Sequence, residues 1–284
     1  MGDQKTTSSQ LSWELTDIEQ RLGLRGGRFT STNGILTFAI AAALTVVFYL
    51  ILGNIPANLL ADMLLYRGPI PYFIVFFSFW SLAILFVKNR KLYLQRKTLP
   101  MRITPDDHSF VLTSATVDIV RERIFLLVDD PRHFLLFNRI MTALASLKNL
   151  GQIADIENIL RSQADRDESS VHTSYATIMG FVWAIPVLGF IGTVLGLSVA
   201  IGGFGSVLES ASEPAQIVDA LKVVTAGLGT AFETTLEGLV AALCIQLLIT
   251  RQKRKEEEFL DECSEYCTRN IVGKLRFLPY EVKG

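Results

Sequence analysis

The stretch Pro186-Val-Leu-Gly-Phe-Ile-Gly-Thr-Val-Leu-Gly196 lies in the middle of an uncharged run that extends from Thr173 to Leu208. An α-helix needs about 20 predominantly apolar residues to cross the hydrocarbon core of a membrane, and this run is longer than that. Its glycines recur at helical spacing, and small residues let membrane helices approach one another closely. The stretch therefore predicts a transmembrane helix that packs tightly against other helices.

A second stretch, Gly229-Thr-Ala-Phe-Glu-Thr-Thr-Leu-Glu-Gly238, combines small and hydroxyl residues with two acids. It lies in a run from Val223 to Thr250 whose charged residues are Glu233 and Glu237. An ionisable group at the centre of a membrane helix costs about 2.5 to 3.5 kcal/mol on insertion scales. Such groups are kept where they face protein, water or an ion path, so this stretch predicts a span with a polar role.

The composition is that of a membrane protein. The chain has 284 residues, of which 50% are hydrophobic and only 19% are charged. Two further uncharged runs, from Ile35 to Leu52 and from Ile70 to Val87, are long enough to cross a membrane. The first 30 residues are polar and contain no apolar segment before a small-residue cleavage site, so we expect no removable signal peptide. The sequence predicts an all-α membrane protein with four transmembrane helices.

The positions of the basic residues predict the orientation, because Lys and Arg accumulate in cytoplasmic loops close to membrane spans. Basic residues precede the first span, follow the second and follow the fourth, whereas the loop between the first two spans has only Arg67. Both termini are therefore expected in the cytoplasm. The formal net charge of -1 gives no reason to expect nucleic acid as a partner.

Charge and hydropathy together divide the chain into five parts. They are a cytoplasmic N-terminal segment at 1–33, transmembrane helices 1 and 2 at 34–87, a helical cytoplasmic domain at 88–174, transmembrane helices 3 and 4 at 175–250, and a cytoplasmic helical tail at 251–284. Within the cytoplasmic domain, apolar periodicity predicts a helix from about Ser114 to Val128. A second helix is expected with Asp130 as its N-cap, Pro131 in its first turn and Gly151 as its stop. A third, from about Ile153, is expected to run directly into the third span.

The two quoted stretches resemble the MotA/TolQ/ExbB family of proton-channel or stator subunits, over roughly residues 175 to 254. The matching residues are Pro186, Gly189, Gly192, Thr193 and Gly196 in the third span, and Thr234, Thr235, Gly238 and Leu239 in the fourth. The resemblance implies a homopentamer in a bacterial inner membrane, surrounded by membrane lipid, whose third and fourth spans line a central lumen. Two copies of a single-span partner similar to ExbD, TolR or MotB would lie in that lumen, and the partner's Asp would carry the ion. Four spans with a large domain between the second and third look like the layout of MotA.

The resemblance also implies roles for particular residues. Residues expected in the ion path or lumen are Thr193, Thr230, Glu233, Thr234, Thr235 and Glu237, and those expected in helix packing are Pro186, Gly189, Gly192, Gly196 and Gly238. Thr193 and Thr235 match the family's lumen-facing threonines. Where ExbB-type members carry a glutamate, this chain has Thr230, and the acid follows three residues later at Glu233. The role of the family's glutamate therefore does not transfer directly.

Glu233 and Glu237 are four residues apart and share one helical face, with Thr230 and Thr234 beside them. Two partly desolvated carboxylates so close together do not both ionise easily, so at least one is expected to be protonated. The functional interpretation places them in or beside the ion path. The alternative is a protonated Glu that bonds to a neighbouring helix and serves packing alone. Pro186 likewise either marks a kink that the ring needs or is merely tolerated in a packed helix.

Two other classes of function stay open. A secondary transporter also places acids at mid-membrane, although no internal repeat is visible here. A non-conducting scaffold or sensor explains the topology but leaves the two acids without a role. The sequence contains no P-loop, nucleophile elbow or metal-ligand cluster, so we expect neither an enzyme nor a bound cofactor, only a transported H+ or Na+.

Overall fold

The computed structural model describes residues 11–21, 23, 26–27, 29–56, 59–105, 110–150, 153–210 and 214–275. Ten α-helices lie in this described part of the chain. They are α1 (Trp13–Thr16), α2 (Ile18–Arg21), α3 (Gly34–Gly53), α4 (Leu59–Leu65), α5 (Ile70–Arg96), α6 (Val117–Leu127), α7 (Leu135–Leu150), α8 (Ile153–Ser174), α9 (Ala176–Ser210) and α10 (Pro214–Asn270). Short 3-10 helices at Pro131–His133 and Val272–Lys274 complete the described elements.

The four predicted membrane spans are present. Within the described residues, four helical stretches are long and apolar enough to cross a membrane, in Gly34–Gly53, Ile70–Arg96, Asp155–Gly205 and Ala220–Lys274. No strand is found among those residues, where the only β-type pairings are two isolated bridges. The prediction of an all-α membrane protein with four transmembrane helices is confirmed.

One helix boundary differs from the sequence-based expectation. Asp130 does accept a hydrogen bond from the backbone of Arg132, but only a 3-10 turn follows it, and α7 begins at Leu135. The reason is Gln95 on α5, whose side chain accepts from the Leu135 amide at 2.9 Å and donates to the His133 carbonyl at 2.7 Å. A distant side chain therefore caps α7. The helix from Ile153 leads into the third span as predicted, since Asp155–Gly205 forms one long helical stretch in which a turn at Tyr175 separates α8 from α9.

The chain forms two compact units. The membrane unit comprises residues 34–86 and 176–251, and the extramembrane unit comprises the described residues within 1–33, 87–175 and 252–284. The core of the extramembrane unit includes the apolar stripe of α7 and the residue before it. Phe134, Phe137, Ile140 and Leu144 are buried there, as their helical spacing predicts.

Buried ion pairs connect elements of the extramembrane unit. The Lys88 ammonium lies 3.1 Å from Glu256 and 2.9 Å from the Ser174 hydroxyl, and it stands over the Tyr175 ring at 4.3 Å. Both members of the pair are almost completely buried. A buried charge is tolerated only when it is paired and hydrogen-bonded, and this cluster meets both conditions.

The segment at residues 11–14 is attached to the end of α6 through Asp129. The Asp129 carboxylate accepts hydrogen bonds from the Ser12 hydroxyl at 2.8 Å and from the Glu14 amide at 3.2 Å. Burial by itself would raise the pKa of Asp129. The hydrogen bonds from the backbone of Trp13, from Ser12, and from the backbones of Asp130 and Glu14 outweigh that effect and hold the pKa below its usual range.

We expect the substitution Asp129→Ala to loosen this N-terminal attachment by about 1 kcal/mol, a factor of about five in its local opening equilibrium. Limited proteolysis within residues 11–21 measures that opening. Because the pKa of Asp129 is lowered in the folded chain, Asp129 stabilises the attachment fully above the usual pKa of an aspartate. This stabilisation is lost as the pH falls through the lowered pKa. Asp118→Ala is the matched control, since Asp118 forms an exposed pair with Lys148. Equal cleavage of both variants would contradict the attachment.

Candidate functional site

The helices α9 and α10 approach each other at the level of the backbone. A methyl group added at Gly189 would lie 2.8 Å from the carbonyl oxygen of Thr234. One added at Gly238 would lie 3.0 Å from the carbonyl oxygen of Ile185, the residue before Pro186 in the unbroken helix α9. Only residues without a Cβ permit so close an approach, so these glycines lie where the two helices touch.

Two more glycines continue the same contact along α9. A methyl group at Gly192 would lie 2.5 Å from the Thr234 hydroxyl, and one at Gly196 would lie 2.9 Å from the carbonyl oxygen of Gly227. The Thr234 side chain is buried, and its hydroxyl donates to the carbonyl of Thr230 at 3.0 Å. Thr234 therefore fills the space that Gly192 leaves open, and its hydroxyl is satisfied within its own helix.

The hydroxyls of Thr193 and Thr235 meet across this contact. They are hydrogen-bonded to each other, and each also lies within 3.2 Å of the carbonyl oxygens of Gly189 and Ala231. We call these two hydroxyls and two carbonyls the threonine cluster. Each hydroxyl carries one proton and can both donate and accept, so the two protons can be shared among these contacts in more than one way.

A second polar contact joins α10 to the connection between α4 and α5. Arg67 lies in that connection, and its Nε is 2.7 Å from Oε2 of Glu233 while its Nη2 donates to Oε1 at 3.1 Å. Its Nη1 also donates to the Thr230 hydroxyl at 3.4 Å. One guanidinium therefore binds both oxygens of Glu233 and the hydroxyl one turn before it. The contact is an ion pair between α10 and the connection that precedes α5.

Glu237 lies one helical turn beyond Glu233 and has different surroundings. It lines an apolar cavity of about 490 Å³ bordered by side chains from α3, α4, α5 and α10, among them Phe48, Met63 and Phe79. Both carboxylate oxygens are shielded from solvent, and neither has a hydrogen-bond partner among the described residues. An unpaired carboxylate is strongly destabilised in apolar surroundings, so the neutral, protonated form fits Glu237.

Arg67 was not predicted from the sequence to lie at the site. Its signal was present, because Arg67 is the only basic residue between the first two spans. A lone cation in a loop at one membrane face is a natural partner for an acid in the nearest part of another span. What the sequence does not give is which acid it meets, since Arg67 and Glu233 are 166 residues apart.

Residues 134–265 match the model of the MotA/TolQ/ExbB proton channel family. The match spans α7, α8, α9 and most of α10, so it includes the site residues on α9 and α10, whereas Arg67, Phe48, Met63 and Phe79 lie outside it. The family resemblance of the sequence is thereby confirmed. No curated protein and no solved structure matches the chain significantly.

Proposed function

Because residues 134–265 of this chain belong to the MotA/TolQ/ExbB proton channel family, we propose that the protein is the ring-forming subunit of an ion-driven rotary motor. Proteins of this family work with single-span partner proteins in membranes. The proposed assembly is a homopentamer around two copies of an ExbD/TolR/MotB-like partner, in a bacterial inner membrane. Both termini and the helical domain between the second and third spans would lie in the cytoplasm.

The threonine cluster is the observation that supports this function most. It places two hydroxyls with exchangeable protons against two backbone carbonyls, inside a close interface that contains several glycines. Such a hydroxyl can accept a hydrogen bond from a protonated carboxyl group and can donate one to an ionised carboxylate. Thr193 and Thr235 would therefore face the partner's Asp when that residue takes up or releases its ion.

Glu233 is proposed as a proton-binding residue beside this path, with Thr230 and Arg67 as the groups that position it. Its side chain keeps 24% of its surface exposed in the single subunit. Glu237 and Thr234 are proposed to serve packing, since one lines an apolar cavity and the other is bonded within its own helix. Ion flow would then drive rotation of one component inside the other.

The substitution Thr193→Val tests the role of the threonine cluster. It keeps the side-chain shape but removes a hydroxyl, and we expect proton flux through proteoliposomes containing the chain and its partner to fall about tenfold, since the Thr235 hydroxyl remains. Thr235→Ser keeps the hydroxyl and should retain most of the flux.

Thr250→Val is the matched control for this experiment. Thr250 lies on α10, is exposed, and donates to the Gln246 carbonyl of its own helix at 2.9 Å. Its removal should leave the flux unchanged. Equal flux through the Thr193→Val and wild-type proteins would overturn the proposed path, and a chain that assembles but conducts no ions would favour a non-conducting scaffold.

A further inference from the structure

The connection between α4 and α5, residues 66–69, is held on α10 by the side chain of Arg67. All three guanidinium nitrogens are engaged there, two of them by Glu233 and the third by Thr230. One hydrogen bond, from Nη2 to Oε1, and one close ion-pair contact, between Nε and Oε2, tie the guanidinium to the carboxylate. The position of the connection therefore depends on the charge of Glu233.

Only one member of the pair can change its charge. Arginine remains protonated throughout the physiological range, so the pair is discharged only when Glu233 gains a proton. An O–H bond then forms on one carboxylate oxygen, which stops accepting from Arg67, and the Coulomb attraction is lost. Nothing else is consumed or released in this step.

A sodium ion cannot replace the proton in this role. Oε1 of Glu233 accepts a hydrogen bond from Nη2, and Oε2 lies 2.7 Å from Nε, so a metal ion would have to bind beside a fixed positive charge. Sodium also needs several oxygen ligands, and the Thr230 hydroxyl within reach is itself contacted by Arg67. The site therefore distinguishes H+ from Na+ through its built-in cation.

Space for the released side chain lies beside it. Arg67 borders a cavity of about 500 Å³ together with residues of α10 that include Lys222, Thr225 and Gly229. Among the described residues, the other titratable groups on the elements around this pair include Glu237, one turn along α10, and the exposed Asp62 on α4.

We propose that Arg67 and Glu233 form a proton-operated latch, in which ionised Glu233 holds the α4–α5 connection on α10 and protonated Glu233 releases it. This rests on the proposed function, since it gives each proton that reaches Glu233 a structural consequence within the same subunit. It also assigns the ion at this position as H+ and not Na+.

Hydrogen–deuterium exchange of residues 59–69, measured on the full chain in lipid nanodiscs, tests the latch. Glu233→Gln imitates the protonated acid and is expected to make this segment exchange about tenfold faster. Arg67→Gln should give the same increase, because it removes the other half of the same contact. Arg67→Gln also keeps the test available if Glu233→Gln, which lies inside the fourth span, prevents membrane insertion. The double variant should exchange no faster than either single variant.

Two controls define the result further. Glu237→Gln changes an acid one turn away and should leave the exchange of residues 59–69 unchanged, and replacing K+ by Na+ should not alter it in the wild-type chain. The latch would be overturned if residues 59–69 exchanged at the wild-type rate in both Glu233→Gln and Arg67→Gln. It would also be overturned if the two substitutions had additive effects on exchange, or if Na+ made the wild-type segment exchange faster. The exchange measurement needs neither ion flux nor a partner. If the exchange results support the latch but the assembled protein conducts no protons, the proposed function is refuted and the latch is not.

Discussion

Gly189→Leu is expected to prevent the membrane unit from folding, whereas Gly180→Leu on the same helix is expected to be tolerated. At Gly189 even a methyl group would lie 2.8 Å from the carbonyl oxygen of Thr234 and 3.2 Å from the Cα of Thr235, and backbone atoms cannot move aside. At Gly180 no described atom lies within 4 Å of an added methyl group. Overpacking of this kind costs about 3 kcal/mol or more.

The two variants differ only in position along α9, so the comparison removes helix propensity and hydrophobicity as explanations. Thermal unfolding in mild detergent, followed by helical circular dichroism and by size exclusion, gives the stability of each. We expect Gly180→Leu to unfold as the wild type does and Gly189→Leu to elute as aggregate. A folded Gly189→Leu chain with unchanged thermal stability would show that α9 and α10 do not pack through their backbones.

Glu233→Gln is expected to reduce proton flux about a hundredfold in proteoliposomes that contain the chain and its single-span partner. The amide keeps the size of the side chain but cannot bind and release a proton, and removing a positioned acid or base typically has an effect of this order. The substitution also leaves Arg67 without its carboxylate partner. Flux is measured with a pH-sensitive dye after imposing a pH gradient.

Glu257→Gln supplies a control on the same helix. Glu257 lies in the extramembrane part of α10 and pairs with Lys253 at 3.8 Å. Glu257→Gln therefore removes one acid from the chain, as Glu233→Gln does, but leaves the membrane unit unchanged. Its flux should equal that of the wild type. If Glu233→Gln assembles with the partner and conducts normally, Glu233 serves packing alone and the ion path lies elsewhere.

The number of spans and the face of close packing could be predicted from the sequence. Apolar runs of sufficient length have few alternatives to a membrane helix, and the spacing of Gly189, Gly192 and Gly196 places them on one face. Both signals are local, because they depend on residues within a few turns of one another. The apolar stripe of α7 was predictable for the same reason.

Contacts between residues far apart in sequence could not be predicted in this way. The start of α7 is displaced because Gln95, on another helix, binds the His133 carbonyl and the Leu135 amide at the N-terminal end of α7. Glu233 and Glu237 look equivalent in sequence, yet one meets Arg67 and the other lines an apolar cavity. These different surroundings arise only when the folded chain brings distant residues together.

Native mass spectrometry of the chain in mild detergent, alone and co-expressed with a single-span protein encoded beside it, tests the proposed motor most directly. The expected result is five copies of this chain alone, and five copies with two partners when the partner is present. A stable monomer or dimer that ignores such a partner would contradict the rotary function and leave a transporter or a scaffold as the better description.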